Sequence, residues 1–100
     1  MTEDVVVPSV GADRSHVYHL YTIKHPRRDA LAAHLNAHGV QTAIHYPTAL
    51  PFLAAYGRLQ HRPEQFPNAY RDQSKILSLP MFAEITLEQQ RTVIELVNDF

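Results

Sequence analysis

The stretch "AIHYP", residues 43–47, sets a histidine and a tyrosine at the exit of an apolar, strand-like run, "GVQTAI", and stops them with proline. An imidazole and a phenol each donate and accept hydrogen bonds, and each can exchange a proton. Pro47 biases Tyr46 toward extended backbone and away from helix. His45 and Tyr46 are therefore presented on a bend. Such a bend is either a plain corner whose polar tips satisfy nearby backbone groups or the wall of a ligand pocket.

The remaining chemistry is thinner. Seven histidines stand against nine lysines and arginines, which invites a metal reading. His34 and His38 are four apart on a predicted helix, so both imidazoles share one face, but a third ligand and the carboxylate of an H-E-x-x-H pattern are missing. They read as two solvated histidines on the outer face of a helix whose leucines point inward, and no metal site is expected. His16 and His19, three apart on a predicted strand, fall on opposite faces. His25 and His61 read as exposed loop residues. The chain has no cysteine, which excludes disulfides, thiolate nucleophiles and cysteine-bound zinc. No G-x-S-x-G elbow occurs, and Gly11, Gly39 and Gly57 are too scattered to cradle a phosphate.

The elements that must position these residues follow from periodicity and punctuation. Residues 1–15 read as an irregular lead-in with a short extended piece at Val5 to Val7. "HVYHLYTIK" reads as a strand, with Val17, His19, Tyr21 and Ile23 on one face, Tyr18, Leu20 and Thr22 on the other, and apolar bulk on both. "HPRRDALAAHLNAHG" is the clearest helix, with Pro26 in its first turn, Asp29 at the positive end of its dipole, and Gly39 as a left-handed stop. Val40 to Ile44 reads as a second strand, Phe52 to Tyr56 as a short helix, and "PNAYRDQSKIL" as another. "LSLPM" is a short extended run. Thr86 and Gln89 form a capping box for a last helix whose stripe is Leu87, Ile94 and Val97, with Val93 beside it. The order is roughly β-α-β-α-α-β-α: an α/β (α+β) domain with a small sheet flanked by helices over residues 16–100.

Length and charge bound the partners. One hundred residues make one domain at most. A formal net charge of −1 gives no electrostatic reason to expect nucleic acid or an anionic membrane. The acidic start "MTEDVVVPSVGADRS" has too short an apolar run for a signal peptide, and no stretch approaches spanning length, so a cytoplasmic protein is expected.

Taken in order, "HVYHLYTI", "RDALAAHLNAHGVQTAIHYP", "FPNAYRDQSKILSLPM" and "ITLEQQRTVI" resemble the C-terminal domain of the DegT/StrS family, from about His16 to Val97. These are pyridoxal-phosphate-dependent aminotransferases acting on nucleotide-linked keto-sugars. The resemblance implies the small C-terminal domain of a fold-type-I enzyme. The Schiff-base lysine and the aspartate that pairs with the pyridine nitrogen then lie on a large domain, joined in cis or docking in trans. It makes His45 and Tyr46 the substrate contacts. It adds His19 of "YHLY" as a weaker substrate-binding match, read chiefly as packing or support. Where members continue H-Y-P-x-P-L-H, this chain reads "HYPTALP", with Ala49 and Pro51 at the corresponding positions, so a histidine contact often available there is not carried over. Members work as dimers, which admits a homodimer. Lys24 and Lys75, the only lysines, do not stand in the family's Schiff-base context. The chain alone is therefore expected to hold no pyridoxal phosphate and not to transaminate. The alternative is a stand-alone or trans-docking binding module for a nucleotide-sugar, without catalysis.

Overall fold

The computed structural model describes residues 4–100; Met1 to Glu3, the start of the acidic lead-in, lie outside the described residues. Strand β1 (Tyr21–Lys24) is followed by helix α1 (Arg28–Ala37), a run of three short 3-10 turns between Leu50 and Gln65, helix α2 (Pro67–Asp72), strand β2 (Ile76–Leu79) and helix α3 (Leu87–Asp99). The two strands pair antiparallel, Tyr21 opposite Leu79 and Lys24 opposite Ile76. Single rungs extend the ribbon on both sides: Val6 pairs with Lys24, and Ala43 with Ser78. The small helix-flanked sheet is thus present, narrower than expected.

Alternation along this ribbon divides the molecule into a core side and a polar side. Ile23 and Leu77 are fully buried and Leu79 nearly so; they join Leu31 and Leu35 of α1, Val97 of α3, and Val40 in one cluster. Each such leucine or isoleucine contributes roughly 1.5–3 kcal/mol by leaving water. The residues between them, Thr22, Lys24, Ile76 and Ser78, point to the other face.

Local signals set the helix ends. After α1, Gly39 adopts φ +80°. Its N–H donates to Asn36 O at 3.1 Å, and Val40 N–H donates to Leu35 O at 2.9 Å. That is a Schellman stop, with Val40 and Leu35 packing together behind it. At α3, Gln89 N donates to Thr86 Oγ1 at 3.1 Å and Thr86 N to Gln89 Oε1 at 2.9 Å, so the capping box forms as read.

Several expectations are corrected. Residues 16–20 are not strand: Tyr18 takes φ +52°, its N–H donates to His16 Nδ1 at 2.8 Å, and Val17 is 91% exposed. Val40 to Ile44 contributes one rung and no strand: in the antiparallel register the rungs beside Ala43–Ser78 would join Gln41 to Pro80, which has no N–H to give, and His45 to Ile76, whose carbonyl is taken by Arg28. His25 is buried, not a loop surface residue; its Nδ1 accepts from Arg27 N and its ring meets Phe100 edge-on at 5.3 Å. His34 is half-buried and donates through Nε2 to Leu96 O at 2.9 Å, so only His38 of that pair is solvated. In the α3 stripe Val97 is buried while Leu87 and Ile94 face solvent.

Candidate functional site

On the polar face of the ribbon the hydrogen-bond pattern makes Thr22 and Ser78 close neighbours. Lys24 exchanges both backbone bonds with Val6, and Ser78 exchanges both with Ala43. The alternate pairs Thr22–Ser78 and Lys24–Ile76 are therefore the non-hydrogen-bonded kind, whose side chains approach most closely. Thr22 Oγ1 and Ser78 Oγ lie 3.0 Å apart, and Ser78 Oγ lies 2.9 Å from His45 Nδ1. Two residues past the Ala43 rung, the chain thus lays the His45 ring against a buried hydroxyl.

His45 is half-buried and Tyr46 is 70% exposed; their rings meet edge-on at 5.4 Å, and the peptide between them is cis. Both line an open cleft of about 600 Å³ whose other walls include Leu50, Leu53, Gln73 and Ile76. The segment after Pro47 is tied to α2 by Ala49 N–H, which donates to Gln73 Oε1 at 2.8 Å. The backbone of Gln73 is tied in turn to α1, since buried Arg28 donates through Nη1 to Ile76 O at 2.8 Å and to Gln73 O at 3.3 Å. A largely apolar floor with a few converging polar tips is the composition of a small-molecule site.

Asp72, at the end of α2 and on the cleft wall, holds two cations. Lys24 Nζ stands 2.7 Å from Oδ2, and Arg71 Nε 2.8 Å from Oδ1. The Arg71 hydrogen bond, with smaller help from Lys24, draws the Asp72 carboxyl down to about 2. Lys24 is thereby an ion-pair partner rather than a free amine, and Asp72 has no oxygen free of a cation.

Of the three residues predicted as substrate contacts, the fold brings His45 and Tyr46 together and leaves His19 apart. His19 is exposed just before β1, at the end of the ribbon where Tyr21 pairs with Leu79, whereas His45 extends toward the Ile76 end. Among the described residues nothing covers its side chain. Sequence reasoning did not single out Thr22, Ser78, Gln73 or Asp72. The one available signal was a serine set between two leucines in "LSLPM". Among the described residues no three histidine, aspartate or glutamate side chains gather to hold a metal ion, and no helix is long and apolar enough to cross a membrane.

A narrow ribbon under two helices, with a polar-tipped cleft on its far side, is an aminotransferase-type α/β unit. DesV of S. venezuelae, solved with a ketimine intermediate, superposes with a TM-score of 0.85 at 31% identity over 96% of this chain and 26% of that one. A DegT DnrJ EryC1 StrS aminotransferase from Brucella abortus gives 0.86 at 31% identity over 97% and 26%. The chain belongs to the DegT/DnrJ/EryC1/StrS aminotransferase family, whose model matches residues 2–98. It is 40% identical to the pleiotropic regulatory protein of Geobacillus stearothermophilus, over 96% of this chain and 26% of the relative. It is 33% identical to the dTDP-3-amino-3,6-dideoxy-alpha-D-galactopyranose transaminase of Aneurinibacillus thermoaerophilus, over 94% and 25%. The chain spans about a quarter of the length of these relatives.

Proposed function

We propose that this chain is the small C-terminal domain of a pyridoxal-phosphate-dependent aminotransferase, closing the nucleotide-sugar side of an active site whose reactive groups lie on a large domain. His45 and Tyr46 grip a nucleotide-linked keto-sugar; an imidazole N–H and a phenol are suited to phosphate and carbonyl oxygens. The observation that carries this reading is the cleft itself, with His45 pinned and Tyr46 projecting into solvent at its mouth. The cofactor, when bound, supplies the electron sink for nitrogen transfer. The engagement of Lys24 and Asp72 with each other supports a cofactor site on the other domain. Exposed apolar side chains at Met81, Phe82, Leu87 and Ile94 support a covering partner in cis or in trans. His19, at the opposite end of the ribbon, would meet a part of the ligand or partner that the His45 cleft does not reach.

Two titrations test the proposal. With pyridoxal phosphate, the chain is expected to show no saturable aldimine band above about 400 nm; a band abolished by Lys75→Ala would overturn the division of labour. With a dTDP-linked or a UDP-linked hexose, NMR shifts are expected around His45 and Tyr46, lost in His45→Ala and unchanged in His19→Ala. Shifts that ignore His45→Ala would remove the cleft from the proposal.

A further inference from the structure

We propose that Ser78, backed by Thr22, is a positioning residue for His45, pinning its Nδ1 so that only Nε2 is left to meet a ligand. This rests on the reading of His45 as a ligand contact. Ser78 sits between Leu77 and Leu79 on β2 and is itself only 4% exposed. Burying a hydroxyl there costs free energy unless the group is hydrogen-bonded, and an alanine or valine would fill the strand without that cost. Its backbone N–H and C=O are both consumed by Ala43. The side-chain oxygen has two partners, Thr22 Oγ1 at 3.0 Å and His45 Nδ1 at 2.9 Å. The hydroxyl is thus placed by the register of the ribbon and spent on the ring.

Among the described residues no buried side-chain nitrogen or oxygen lacks a hydrogen-bond partner. His45 Nε2 has no hydrogen-bond partner among the described residues, so it is reached by solvent. A serine hydroxyl rotates freely and offers one donor and two acceptor sites. Donating to a bare Nδ1 while accepting from Thr22, it leaves the ring proton on Nε2, the N–H offered to the ligand. The hydroxyl pair thus holds one ring edge, and the ligand-facing nitrogen keeps both its place and its proton. The pair therefore fixes orientation without adding a charge to the cleft.

The test reads the His45 ring nitrogens by 15N NMR in the full chain. Wild type is expected to show one well-defined, unequal pair of nitrogen shifts. In Ser78→Ala the two are expected to move toward averaged values, and binding of a dTDP-linked hexose to weaken about fivefold, the worth of one lost hydrogen bond of about 1 kcal/mol. Ser78→Thr keeps the hydroxyl and is expected to restore both. If Ser78→Ala does not fold, Thr22→Val carries the test. That change removes only the outer hydroxyl and is expected to move the same nitrogens in the same direction by less. A merely structural serine would lower stability and leave the ring nitrogens alone; unchanged His45 shifts in the folded variant overturn the proposal. Moved shifts with ligand binding indifferent to His45→Ala would sink the ligand reading and leave the pinning intact.

Discussion

Removing the guanidinium of Arg28 should loosen the cleft from behind. Arg28 opens α1, is buried, and spends Nη1 on Ile76 O at 2.8 Å and Gln73 O at 3.3 Å. Its ion pair with Asp29 matters little, because that carboxylate is 86% exposed. In Arg28→Met the apolar stem stays packed while two carbonyls lose a charged donor. A bond of this kind is worth about 1.5–3 kcal/mol. The shorter one counts nearly in full, the longer one in part, and the relieved desolvation of the cation offsets some of the loss. The net is about 2 kcal/mol. With a urea slope of about 1–1.5 kcal/mol/M for a small domain, the unfolding midpoint falls by about 1.5 M. Because Gln73 also holds Ala49 N–H, amide exchange at Ala49 should speed up while exchange at Gln89, in the distant capping box, keeps its ratio to global stability. The control Asp29→Asn should move the midpoint by less than about 0.4 M. An Arg28→Met chain with an unmoved midpoint and a protected Ala49 amide would refute the reasoning.

Two further perturbations follow from the same structure. The Asp72 carboxyl lies at about 2 in the fold against 3.8 in a free side chain, so its contribution is complete above pH 4 and lost as pH falls from about 4 to 2. Allowing for solvent screening by the exposed Arg71, that amounts to about 1 kcal/mol, and Asp72→Asn should flatten the wild-type stability curve over that interval in acid-titrated urea melts. Thr86→Ala removes the hydroxyl that accepts from Gln89 N and should cost about 1 kcal/mol, read as a drop of about 4–6 °C in the thermal midpoint, with Thr86→Ser recovering most of it.

What the sequence disclosed and what it concealed divide by the range of the interactions. The stop of α1 at Gly39 and the start of α3 at Thr86 depend on residues within one turn, and both formed as read. The strand drawn through "HVYHLYTIK" failed over its first half because His16 offers its own ring nitrogen to the Tyr18 amide, a local competitor to ladder bonds. The second strand stopped at one rung because the next, Gln41 opposite Pro80, lacks a proline N–H to complete it. The burial of His25 and His34 depends on Phe100 and Leu96, far along the chain. The cleft shows the same division. His45 and Tyr46 were visible from their bend, but the hydroxyls behind His45 come from positions 22 and 78. Only the register of the ribbon makes them neighbours.

The narrowness of that ribbon has a consequence for how the chain behaves in company. Two four-residue strands would ordinarily present raw margins to which any passing extended peptide could add itself. Here Val6 occupies one margin with a pair of hydrogen bonds to Lys24, Ala43 occupies the other with a pair to Ser78, and on that same margin the Ile76 carbonyl is taken by Arg28. With so little hem left open, strand-by-strand fibril growth finds scant purchase, and self-association of this polypeptide should proceed through side-chain patches instead of through its backbone.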